Sequence, residues 1–96
     1  MYARLAVVTG PVERAKEAGQ MIVDQVLPRV RDIPGLRGAY FLGDEATGKF
    51  VSLTLFETEA DLVASREAAN KLREESVKTM GGTIQSIEEF EVIAQV

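Results

Sequence analysis

Lys49-Phe50-Val51-Ser52-Leu53-Thr54-Leu55-Phe56-Glu57 alternates with a period of two, the pattern of a β-strand. Val51, Leu53 and Leu55 point one way. Phe50, Ser52, Thr54 and Phe56 point the other. Both rows are largely apolar, whereas a strand with one wet face carries one polar row. Tyr2 to Thr9 repeats the feature, with Leu5 and Val7 on one parity and Ala6 and Val8 on the other. These two strands predict a sheet that is covered on both faces.

Working outward from this strand, Gly43-Asp44-Glu45-Ala46-Thr47-Gly48 is a polar hairpin loop, which makes Leu36 to Leu42 an antiparallel neighbour. Further upstream the period changes: Val12, Ala15, Gly19, Ile22, Val26 and Val30 form one face of a helix running to about Arg31. Pro28 should kink this helix or end its regular part near Leu27, because it lacks an N–H and crowds the carbonyl of Asp24. Downstream, Thr58-Glu59-Ala60-Asp61 is a capped helix start, and the helix runs from Glu59 to about Thr79 before Gly81-Gly82 ends it. Thr83 to Val96 reads as a long last strand. Ile84 and Ile87 are out of phase there, and a β-bulge near Ser86 to Glu88 would reconcile them. The order is β-α-β-β-α-β, the α+β ferredoxin-like layout: a four-stranded antiparallel sheet with two helices on one face. The second sheet face has no cover within the chain, which predicts a homodimer through that face.

The 96 residues suit one domain, residues 1–96. A chain this short gains little from its own core, and the absence of Cys and His removes disulfides, thiolate metal sites and the commonest metal ligand. No metal and no cofactor is expected, and association is the support that remains. A net charge of −4 argues against a nucleic-acid partner, which needs a basic face. No apolar run has the length of a membrane span, and the N-terminus lacks the apolar core of a signal peptide, so the expectation is a cytoplasmic protein without a membrane partner.

Leu27-Pro28-Arg29-Val30-Arg31-Asp32-Ile33-Pro34-Gly35-Leu36-Arg37-Gly38-Ala39-Tyr40-Phe41 resembles the helix-to-strand passage of the antibiotic biosynthesis monooxygenase family. The stretch from Lys49 to Leu62 resembles that family's third strand and second helix start. The resemblance implies a dimeric α/β barrel, with two sheets packed face to face and a pocket between helices and sheet in each subunit. It also implies a cofactor-independent monooxygenase acting on a small aromatic or phenolic compound, in which the substrate itself supplies electrons to dioxygen. Family members that open the haem ring share an Asn on strand one and a Trp and a His on the second helix. Laid along this chain, those positions fall near Ala3, Ser65 and Glu75, and none is retained, which argues against haem degradation.

Six residues are candidate ligand contacts. Tyr40 could donate a hydrogen bond, or sit in the core with its hydroxyl at the rim. Ser52, Thr54 and Phe56 line a cavity floor if their row faces the helices, and are cross-strand partners if it faces a second copy. Arg66 has no acidic partner three or four residues away on its own helix, which leaves it free for an anionic ligand or for solvent. Asn70 is the only Asn, placed mid-helix where it is mildly unfavourable. Small residues on the second helix (Ala64, Ser65, Ala68, Ala69) allow either close packing or a cavity. The alternative to an oxygenase is a non-catalytic, dimeric small-molecule-binding or regulatory module of the same fold. An RNA-recognition motif shares the element order, but strand one lacks its stacking aromatic.

Overall fold

The computed structural model describes residues 1–96. Its strands are β1 (Tyr2–Thr9), β2 (Leu36–Asp44), β3 (Lys49–Phe56) and β4 (Thr83–Glu91), and they lie in the spatial order β2-β3-β1-β4. Every neighbouring pair is antiparallel. Helix α1 spans residues 12–31 and α2 spans residues 59–80, and both pack on the same sheet face. This is the ferredoxin-like arrangement expected from the element order.

The strand register decides which row is which. Arg4, Ala6 and Val8 of β1 pair with Thr54, Ser52 and Phe50 of β3, and this row faces the helices. Phe50 packs with Ala15 and Ala18 of α1 and Val77 and Met80 of α2. The two alanines leave room for the ring. Gly43 on β2 lies opposite Phe50, and a Cβ there would stand 2.8 Å from the ring, so the close approach requires glycine. Phe56 is wholly buried at the other end of the same row, a burial worth roughly 1.5–3 kcal/mol.

Leu5, Val7, Val51, Leu53 and Leu55 fill the opposite face, flanked by Tyr40 and Leu42 from β2 and Phe90 from β4. Tyr40, Leu42 and Phe90 are 61%, 54% and 49% exposed. This face, apolar except where β4 sets Glu88 beside Leu5 and Ser86 beside Val7, has no cover from its own chain.

Local signals account for the helix ends. The Thr58 hydroxyl accepts the Asp61 N–H at 3.1 Å, as its position predicts. Gly81 adopts φ +72° and closes α2, while the Gly82 N–H reaches the Val77 carbonyl at 2.9 Å. Between Glu59–Ala64 and Arg66–Met80 the helix loosens for one residue, Ser65, whose N–H still reaches Asp61. Pro28 neither ends nor breaks α1. The five residues Ile22–Val26 form a π-helical turn just before it, and Leu27–Arg31 continues as α-helix. The wider turn takes up the missing donor and the crowding that Pro28 brings.

The last strand is shorter than expected. It ends at Glu91 because β1 starts at Tyr2, opposite Glu91, and offers no further partner beyond one bond from the Val92 N–H to the Met1 carbonyl. The bulge is present: the register shifts as Val7 pairs with Ser86 and Val8 with Ile84, one residue before the expected place. The extra residue, Gln85, brings Ile84 and Ile87 to the same face. No helix is long and apolar enough to cross a membrane.

Candidate functional site

A half-open cavity of about 90 Å³ lies between the helices and the sheet. Ile22 and Val26, on the π-helical turn of α1, form one wall, and Leu72 and Ser76 of α2 form another. Ser52, Thr54 and Phe56 form the floor. The lining is mostly hydrophobic, and its only ionisable side chains are Arg4 and Arg73.

The two arginines differ in their partners. Arg4 is 2% exposed and fully engaged. Its Nε and Nη2 donate to Oε2 of Glu89 at 3.1 and 2.9 Å, Nη1 donates to the Ser65 hydroxyl at 3.1 Å, and Nη2 also reaches the Leu62 carbonyl at 3.0 Å. The guanidinium lies 5.5 Å from the centre of the Phe56 ring, a cation–π contact. Glu89 also receives Arg66, whose Nη2 donates to Oε1 at 2.6 Å. The hydrogen bond from Arg66 does most to hold the Glu89 carboxyl below its usual range, burial opposes it, and Arg4 adds to the lowering.

Arg73 is half-buried, and no carboxylate lies within 4.0 Å of it. Its one side-chain hydrogen bond goes to the Asn70 amide oxygen at 2.7 Å. Burial, then the charge of Arg4, lowers its pKa from the usual arginine value, with weaker opposing contributions from Glu74 and Glu89. On the floor, the Thr54 hydroxyl is buried and has no hydrogen-bond partner.

The six candidates therefore separate. Ser52, Thr54 and Phe56 come together on the cavity floor. Tyr40 does not join them: it pairs with Leu53 and stands on the opposite sheet face, and its neighbour Phe41 lines the cavity instead. Parity alone separates the two, since adjacent strand residues face opposite ways. Arg66 is not free, because its partner Glu89 comes from β4, outside the reach of helical spacing rules. Asn70 is exposed and reaches the cavity only through Arg73. Arg4 and Arg73 were missed. An arginine inside an apolar strand was a visible signal for Arg4. Nothing local distinguishes Arg73 from a solvated helix residue.

The positions aligned with haem-degrading residues do not converge. Ala3 lies on the sheet face away from the cavity, Ser65 bonds Arg4, and Glu75 pairs with Arg29 at 3.0 Å on the surface. No group of three or more acidic side chains gathers where it could hold a metal ion.

No family model matches the chain. An uncharacterized protein of Mycobacterium tuberculosis is 28% identical over 94 residues, covering 98% of this chain but 42% of its own length, so the chain spans less than half of that relative. Among solved structures, a Deinococcus radiodurans protein provisionally assigned as an antibiotic biosynthesis monooxygenase matches 100% of this chain and 96% of its own, with a TM-score of 0.77 and 14% identity. The haem-degrader MhuD of Mycobacterium tuberculosis matches 100% of this chain and 99% of its own at TM-score 0.76 and 18% identity. A dimeric ferredoxin-like protein from an uncultured marine organism matches 100% of this chain and 98% of its own, at TM-score 0.72 and 10% identity. The chain thus has the fold of antibiotic biosynthesis monooxygenase-like proteins.

Proposed function

We propose that residues 1–96 act as one module that binds a small aromatic or phenolic compound in the helix–sheet cavity. The observation that carries this is the cavity itself: an apolar, half-open space floored by Ser52, Thr54 and Phe56. An enclosed, dry cavity of ~150 Å³ takes benzene. At about 90 Å³ this one seats part of a ring, and the open mouth takes the rest. The activity is monooxygenation without metal or flavin, supported by the shared fold and by a mostly hydrophobic cavity lining. In such chemistry dioxygen converts the ring CH₂ of an anthrone to C=O and leaves one water, and the substrate itself gives up all four electrons that reduce the two oxygen atoms.

The working unit is a homodimer through the open sheet face. Support comes from the uncovered, largely apolar face that carries Leu5, Leu53, Tyr40 and Phe90, and from the dimeric protein of the same fold. The test is oxygen uptake by metal-free protein with a panel of phenols and anthrones. Turnover above the uncatalysed rate is expected. A second reading is favoured by one observation, that the ionisable cavity side chains are arginines and offer no base. On that reading the same compounds raise the melting temperature without being consumed.

A further inference from the structure

We infer that the cavity takes its ligand as an anion, with a carboxylate or ionised phenol oxygen held between the Arg73 guanidinium and the Thr54 hydroxyl. This rests on the proposal that the cavity binds a small aromatic compound. Three observations carry it independently of any relative. Arg73 is a half-buried cation that lines the cavity with no carboxylate to neutralise it, while every other arginine near the cavity has one. Thr54 lines the same cavity, and its hydroxyl is a buried polar group without a partner; such groups are rare in folded proteins because each forfeits a hydrogen bond. The cavity holds no carboxylate or other base of its own.

The chemistry of these groups points one way. A guanidinium presents a planar fork of donors that matches an anionic oxygen group and stays charged at any ordinary pH. Arg4 and Arg66 share the single Glu89 carboxylate, so that neighbouring cluster keeps a net positive charge. A ligand anion would supply the missing countercharge to Arg73 and the missing partner to Thr54 together. An unlinked explanation would need two separate defects on one small cavity. A site without a base also favours a substrate that arrives already ionised.

The experiment is a chemical-shift titration of the full chain with three probes of similar size: 4-ethylbenzoate, ionised 4-nitrophenol and neutral ethylbenzene. Each anion is expected to bind about tenfold more tightly than ethylbenzene, the gain of one charge-assisted hydrogen bond, with shifts centred on cavity residues. Comparing the two anions separates a carboxylate site from a phenolate site. Arg73→Gln should reduce the ratio of anion to ethylbenzene affinity to about threefold or less, and Arg73→Lys should recover part of it. Thr54→Val should weaken the anions while leaving the fold at least as stable, because it removes an unsatisfied hydroxyl. Equal binding of all three probes, or a preference that survives Arg73→Gln, would overturn the anion site while leaving the aromatic cavity standing. Failure of all three to shift cavity residues would overturn both.

Discussion

Glu89→Gln should destabilise the protein by far more than a surface substitution. The change keeps the shape of the side chain and removes its charge. Arg4, 2% exposed, then faces only neutral partners. Removing one member of a buried ion pair costs roughly 3–5 kcal/mol, because the remaining charge is left uncompensated. Two features reduce that here. Arg4 keeps the Ser65 hydroxyl and the Leu62 carbonyl, and Glu89 is 24% exposed, so water can reach the vacated site. The outer bond to Arg66, itself 52% exposed, adds little, because water screens it. The expected loss is about 2 kcal/mol. Urea unfolding at fixed chain concentration measures it, as a midpoint lower by roughly 1–2 M. The pH dependence gives a second check. The folded Glu89 carboxyl is held below its usual range, so its contribution is full above the unfolded carboxylate pKa of about 4.3. It fades as pH falls through the lower folded value, and the advantage of the native protein over Glu89→Gln must shrink in acid. A variant within about 0.5 kcal/mol of the native protein at pH 7, or a gap that widens in acid, would refute the reasoning.

Leu53→Asp puts a charge at the centre of the open sheet face. Light scattering should then find half the native particle mass, with the circular dichroism of a folded chain retained; an unchanged mass would rule out that face as the dimer contact. Phe56→Ala empties a wholly buried site and should cost roughly 3–5 kcal/mol by urea unfolding. Thr58→Ala removes the cap on the Asp61 N–H and should cost about 1 kcal/mol by the same measurement.

The parts of the fold that depend on neighbours in sequence were legible. The alternation of Lys49 to Glu57, the Thr58 cap and the Gly81-Gly82 stop needed only local periodicity and backbone preference. The bulge in β4 was visible because Ile84 and Ile87 could not share a face without it. What escaped depends on contacts across the sheet. The alternation of β3 groups Ser52 with Thr54, but the register with Arg4 and Ala6 is what turns that row toward the helices. Tyr40 and Phe41 are one residue apart, and parity sends only Phe41 to the cavity. Arg66 looked free because its partner is 23 residues away in sequence. Arg73 drew no notice because its lack of a countercharge is a property of the folded neighbourhood. The π-helical turn before Pro28 escaped as well, since a proline in a helix signals disruption without saying which form relieves it.

The most direct measurement is the difference electron density of crystals grown with 4-ethylphenol. Density for the ring is predicted in the helix–sheet cavity, above Thr54 and Phe56 and beside Ile22 and Leu72. An empty cavity at saturating ligand, or density confined to the outer surface, would contradict the claim that this space is the functional site.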